Sequence, residues 1–283
     1  MNIMLGKTAG TCFGVENAIN KATEELKKNN KLYCLGELVH NAQVTEELEK
    51  QGMIFISNVE QATGKVIIRA HGEPKETYIK AEKLGIQIID LTCPKVLKIH
   101  KIVSTYTNNN YYIFITGKAN HPEVIGIVGF CNKNYSVIES SENIEQSIQD
   151  FKKSNLKKAL LISQTTFSVE KFNKIKEELN KNFQKMELEV TNTICAATRL
   201  RQEETAEIAK KVEAMIIIGG KHSSNTNKLY EIANKYCRNI FFTETEKEID
   251  VEKLKKYKTI GVMAGASTPE KSIKKVIDIL EKI

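Results

Sequence analysis

The chain has 283 residues, 41% hydrophobic and 27% charged, an ordinary globular composition with length for two or three small domains. This excludes disordered and fibrous classes; no apolar run approaches the ~18 to 20 residues that span a bilayer, and the opening MNIMLGKTAG lacks a signal-peptide core and cleavage site, so a cytoplasmic location without membrane association is expected. The net charge of +7, from 42 Lys and Arg against 35 Asp and Glu, favours an anionic substrate or acidic partner, but the lysines are scattered, Trp is absent and only 7% of residues are aromatic, so no nucleic-acid partner is expected.

In chain order, LYCLG, MIFIS, VIIRA, IQIIDLT, YYIFITG, ALLIS, AMIIIGG, NIFFTE and TIGVMAG read as strands, short β-branched or aromatic runs separated by amphipathic stretches. The rhythm is that of βαβ units. Helical spacing is clear in Val96, Ile99, Val103 and Tyr106 after Pro94, in Val169, Phe172, Ile175, Leu179 and Phe183, and in Ile273, Val276, Ile277 and Leu280 after Pro269. Both prolines are expected in first turns, where a missing N–H is harmless.

Three of the six cysteines anchor an internal repeat. Counting 24 forward from Cys12, Cys93 and Cys195 reaches Gly36, Gly117 and Gly219, each closing an apolar strand run. Counting 28 forward reaches His40, His121 and Ser223, in the polar segments ELVHNAQV, KANHPEVIG and GKHSSNTNKL. Counting 72 forward from the second and third cysteines reaches Thr165 and Ser267; His71 of RAHGEP, at 59 from Cys12, takes the corresponding turn of the first unit. Such loops follow the carboxyl ends of strands, where α/β sheets bind ligands. The fold class is therefore α/β, with three domains, 13–94, 95–194 and 195–283, the last completed by residues 1–12. A pseudo-threefold arrangement of these domains would gather the three cysteines into one metal site beneath a polar pocket.

A lone buried cysteine usually fills core, and Cys34, Cys131 and Cys237 lie out of register and read as structural. Cys12, Cys93 and Cys195 each sit at a strand-to-helix turn, where a helix N-terminus favours the thiolate. Three distant thiolates suit an open zinc site or an iron–sulfur cluster with one iron free of protein ligand; zinc's usual C-x2-C pairing is absent, which favours the cluster. His40, His71 and His121, with Ser223, Ser224, Asn225 and Ser267, form a donor-rich set without carboxylates, suited to phosphate. Helix capping accounts for some of the Ser and Asn residues but not for histidines in matching loops. His100 reads as a surface or packing residue. Glu123, two residues past His121, is a candidate general acid oriented by Thr165 and Thr166; a first-turn acid stabilising a helix N-terminus is the plainer alternative.

The segments GTCFGVENAI, LVHNAQV, RAHGEP, DLTCPKV, NHPEVIGIVG, SQTTFS, NTICAATRLRQ, GKHSSNTNKL and GVMAGASTPE together resemble the 4-hydroxy-3-methylbut-2-enyl diphosphate reductase (IspH or LytB) family over nearly the whole chain. The resemblance implies a trefoil of three α/β domains around a central [4Fe-4S] cluster with three Cys ligands, Cys12, Cys93 and Cys195, and one open iron. It implies that the allylic hydroxyl of the substrate binds that iron, while His40, His71, His121, Thr165, Ser223, Ser224, Asn225 and Ser267 bind the diphosphate substrate. Glu123 with Thr165 then delivers a proton, assisted by His121, and reduced ferredoxin or flavodoxin supplies electrons, giving isopentenyl and dimethylallyl diphosphate. Thr11, Ala196 and His222 stand where Phe, Tyr and Asn are frequent in the family, none of them a proposed ligand. Two other classes remain open to the residues alone: an iron–sulfur redox sensor with a labile cluster, and a zinc-site structural protein.

Overall fold

The computed structural model of the chain describes residues 1–29, 31–183 and 186–283. Among them no helix is long and apolar enough to cross a membrane. The strands are β1 (Asn2–Leu5), β2 (Leu32–Leu35), β3 (Met53–Ile56), β4 (Lys65–Ile68), β5 (Gln87–Asp90), β6 (Tyr111–Thr116), β7 (Tyr135–Ile138), β8 (Lys158–Ser163), β9 (Glu187–Val190), β10 (Ala214–Ile218), β11 (Ile240–Thr243) and β12 (Thr259–Ala264). They form three parallel four-stranded sheets, in the orders β3-β2-β4-β5, β7-β6-β8-β9 and β11-β10-β12-β1. The pattern is the same each time, with the N-terminal β1 standing where β5 and β9 stand in the other sheets. Its register, Asn2 beside Thr259 through Leu5 beside Val262, is parallel like the rest.

Two compact units contain these sheets. One comprises Met1–Glu16, Val39–Lys50 and Ala196–Ile283; the other comprises Asn17–Leu38 and Gln51–Cys195 and holds the two sheets β2 to β5 and β6 to β9. Residues 39–50 join the first unit through the helix Ala42–Lys50, where Ser272 Oγ donates to Gln43 Oε1 at 2.6 Å and Lys271 pairs with Glu47.

The nine strands expected from the sequence are all present. β1, β7 and β9 were not expected, and all three lie at sheet edges, where one side of the strand stays in water. Their sequences NIML, YSVI and ELEV are short and polar at intervals, with both ends exposed in β1 and β9 and the first residue exposed in β7. Central strands such as β6, β8 and β10 are covered on both faces and read as near-continuous apolar runs. Helices cover them through the expected stripes: Phe172, Ile175 and Leu179 from Val169–Asn182 join Phe114 and Phe151 in one core. Each such aromatic burial contributes roughly 2 to 3 kcal/mol. Pro94 is the first residue of its helix, as expected, whereas Pro269 precedes Glu270–Leu280 in extended conformation (ψ 147°), one place earlier than expected.

Candidate active site

The three cysteines of the repeat are anchored by one recurring hydrogen bond. The N–H of Cys93 donates to Ala70 O at 3.0 Å, that of Cys195 to Thr165 O at 3.0 Å, and that of Cys12 to Ala266 O at 3.1 Å. These acceptors lie in the loops after β4, β8 and β12, beside His71, at Thr165 itself and beside Ser267. One loop in each sheet thus carries both a candidate site side chain and the backbone anchor of a thiol. Each cysteine is half-buried and immediately precedes a helix, Phe13–Lys28, Pro94–Asn108 or Ala196–Ala209, and no disulfide joins any of the six. The remaining cysteines differ. Burial pushes the thiols of Cys34 and Cys131 up to about 12, so they stay protonated, and buried Cys237 points its Sγ at the Asn239 carbonyl, 3.5 Å away.

In the unit holding β2 to β9, the loops after β6 and β8 converge on Glu123. His121 caps the helix Pro122–Val128, its Nδ1 accepting from the Glu123 N–H at 3.1 Å. With Nδ1 an acceptor, the neutral ring carries its proton on Nε2 and presents a donor there. His71 lies 5.5 Å away between ring centroids, edge to face. Glu123 is only 2% exposed, which rules out the solvated first-turn acid. Its Oε1 accepts from the Thr165 N–H and its Oε2 from Thr165 Oγ1, both at 2.6 Å. Burial pushes the carboxyl up to about 7, against the opposing pull of the two Thr165 bonds. Thr166 does a different job from Thr165, accepting from Gln164 Nε2 at 2.9 Å.

In the other unit, Ser223 caps Ser224–Tyr236, its Oγ accepting from the Thr226 N–H at 3.3 Å, so capping accounts for this serine. It does not account for Asn225. That side chain is 3% exposed, yet neither its Oδ1 nor its Nδ2 has a protein partner. An unsatisfied buried amide costs ~1 to 3 kcal/mol, the signature of a group kept for a ligand. Ser267 Oγ donates to His40 O at 2.9 Å, and Gly220 passes so close that a Cβ there would lie 2.9 Å from the same carbonyl. His40, Ser267 and the glycine turn before Ser223 are therefore one packed group. His100 is a packing residue: it is 4% exposed, stacks on Phe130 at 4.3 Å, and burial pushes its pKa down to about 4.

Four charged residues near these loops escaped the sequence reading. Arg69 and Glu73 flank His71 and pair at 2.8 Å, both largely buried; the i, i+4 spacing inside RAHGEP was the available signal. Arg201 and Glu204 reach from Ala196–Ala209 to the loop before Cys12. Their signal lay in the repeat, since Arg201 stands six residues past Cys195 where the other copies carry Ala18 and Ile99.

The family model for LytB protein matches residues 3–281. The chain belongs to the LytB family. It is 41% identical over 286 residues to the 4-hydroxy-3-methylbut-2-enyl diphosphate reductase of Clostridioides difficile, covering 100% of both chains. It is 37% identical over 288 residues to the enzyme of that name from Aquifex aeolicus, covering 100% of this chain and 97% of the relative. Among solved structures, (E)-4-hydroxy-3-methyl-but-2-enyl diphosphate reductase, described as the terminal enzyme of the non-mevalonate pathway, matches with TM-score 0.71 and 37% identity over 100% of both chains. The E-1-hydroxy-2-methyl-but-2-enyl-4-diphosphate reductase of Plasmodium falciparum matches with TM-score 0.89 and 30% identity, over 99% of this chain and 87% of that one. The family expected from the nine sequence segments is thus the family found, and the α/β fold agrees with its solved members.

Proposed function

We propose that the chain is a 4-hydroxy-3-methylbut-2-enyl diphosphate reductase, removing the allylic hydroxyl of that substrate as water to give isopentenyl and dimethylallyl diphosphate. The reaction consumes two electrons and two protons. The observation that carries this reading is Glu123, a fully enclosed carboxyl pushed up to about 7 and oriented through both oxygens by Thr165. A hydroxyl leaves readily only if protonated, and an acid that holds its proton near neutral pH supplies that need. His121, with its Nε2 donor, assists and contributes to substrate binding.

His40, His71, His121, Thr165, Ser223, Ser224, Asn225 and Ser267 are assigned to the diphosphate, and the unpartnered amide of Asn225 supports a ligand rich in acceptor oxygens. Cys12, Cys93 and Cys195 are assigned as ligands of a [4Fe-4S] cluster. The donor set fits: three half-buried thiols ahead of helices, each anchored through its own N–H, beside three other cysteines whose settings are those of core residues. When bound, such a cluster would pass on the donor's two electrons one at a time and offer an iron free of protein ligand. Reduced ferredoxin or flavodoxin in the cytoplasm is the assigned donor, and the net charge of +7 suits an acidic one. Each sheet is read as the centre of one domain, 13–94, 95–194 and 195–283 with 1–12, the helix Ala42–Lys50 being the piece that packs outside its own range.

The test is anaerobic purification, iron and sulfide analysis, and turnover with a chemically reduced dye and the hydroxymethylbutenyl diphosphate. About four irons per chain with electron consumption supports the reading. An intact cluster without turnover refutes the activity, and stoichiometric zinc refutes the cofactor.

A further inference from the structure

The loop that delivers Cys12 differs from its two counterparts. Residues 91–92 separate β5 from Cys93 and 191–194 separate β9 from Cys195, but 6–11 separate β1 from Cys12. A longer loop has more conformations to lose, so holding its cysteine in one place takes additional contacts. The helix Ala196–Ala209 provides them. Arg201 Nη2 donates to Gly10 O at 2.6 Å, and Nη1 of the same guanidinium donates to Ala197 O at 3.1 Å. Glu204, one turn on, accepts from the Lys7 N–H at 2.7 Å, the Thr8 N–H at 2.8 Å and Thr8 Oγ1 at 2.5 Å. Burial pushes the Glu204 carboxyl up, but these bonds outweigh it and hold the pKa below its ordinary value. The loop is closely packed: a Cβ on Gly6 would overlap Met263 Sδ, and Gly10, at φ +103°, packs against Ile273.

Arg201 also breaks the repeat. Six residues past each cysteine stand Ala18, Ile99 and Arg201, exposed 0%, 2% and 4%. Two copies place an apolar residue in the core where the third buries a cation, a costly substitution unless the charge has a partner or a task. Two of its acceptors are main-chain carbonyls on the flanks of cysteines: Gly10 is two residues before Cys12, and Ala197 two residues after Cys195.

We propose that Arg201, supported by Glu204, is a positioning residue that clamps the Cys12 loop to the helix following Cys195 and, as a fixed buried cation, raises the reduction potential of a cluster held by Cys12. The proposal rests on the reading of Cys12 as a cluster ligand. Only about 7 Å of chain separates Gly10 from Cys12, so the guanidinium sits where its charge favours added electrons over their absence.

The test uses the full, cluster-loaded chain without oxygen and reads iron release to a chelator and the midpoint potential in a mediator titration. Arg201→Gln is expected to release iron roughly 10- to 100-fold faster, in line with lost support of a metal ligand, and to show a more negative midpoint. Arg201→Lys, which keeps the charge but reaches fewer acceptors, should restore the midpoint while iron release stays fast. Unchanged midpoint and release in a folded Arg201→Gln protein overturns the proposal. Should that variant not fold, Glu204→Gln decides: several-fold faster iron release with an unchanged melting temperature of the unloaded chain supports the clamp, and unchanged release overturns it. Cys12→Ser separates the two levels. If it keeps its iron, the ligand reading falls and the clamp with it; if it loses iron while the Arg201 and Glu204 variants behave as wild type, the clamp alone falls.

Discussion

Glu123→Gln isolates the proton that the site is built to hold. In the wild type, burial lifts the carboxyl from its ordinary 4.5 to about 7. At pH 7 about half of the molecules then carry the proton, against about 0.3% at the ordinary value, a gain in available acid of ~150-fold. Gln keeps an acceptor for the Thr165 N–H and offers its amide to Thr165 Oγ1, so the pocket keeps its shape while the transferable proton is gone. The expected result is near-normal iron content and substrate binding with turnover lower by roughly 100-fold or more. The same proton leaves a mark on stability. Because the folded pKa lies above the unfolded one, the stabilisation is complete below about pH 4.5 and is lost as pH rises through about 7, amounting to roughly 3 kcal/mol. Wild type should therefore weaken relative to Glu123→Gln between about pH 5 and about pH 8, as its kcat declines over the upper part of that window. Denaturant unfolding and steady-state turnover of both proteins across this range are the assay. Parallel stability curves, or full turnover in the variant, would refute the argument.

Four further substitutions test other positions. Cys93→Ser should lose iron and activity while Cys237→Ser keeps both, since only the first stands in a repeat loop; equal iron loss would refute the distinction. Asn225→Leu should raise KM at least tenfold with little change in kcat, and stabilise the substrate-free protein by ~1 to 3 kcal/mol by removing a buried amide with no partner; a destabilised variant with normal KM would show the amide to be structural. Gly72→Ala should destabilise by ~1 to 3 kcal/mol, because φ is +75° and the new methyl would lie 2.7 Å from His100 Cε1. A melting temperature equal to wild type would contradict that.

Much of this architecture was legible in the residues. The central strands declared themselves because burial on both faces demands continuous apolar runs, as in YYIFIT and AMIII. Three of the edge strands, among them ELEV, did not, since their short, partly polar sequences resemble loops, whereas apolar edge strands such as MIFI and IFFT did. The cysteine spacing, with its glycine and polar loop at fixed offsets, singled out the same loops that the structure ties together by the Cys N–H bonds. HPEV drew attention to Glu123, but its motif alone read more readily as a solvated first-turn acid stabilising a helix N-terminus.

What the sequence by itself determined is therefore the set of parts: a threefold α/β repeat, three cysteines in register, loops rich in hydrogen-bond donors, and one candidate acid. These are local or periodic properties, written in residue type and spacing. Tertiary structure alone decided that β1 completes the sheet of β10 to β12, that Glu123 is enclosed and bonded twice to Thr165 forty-two residues away, and that Arg201 reaches the Cys12 loop 191 residues distant in the chain. Burial and hydrogen-bond partnership are set by groups remote in sequence, and it is they that move a carboxyl from an ordinary surface acid to one protonated near neutral pH.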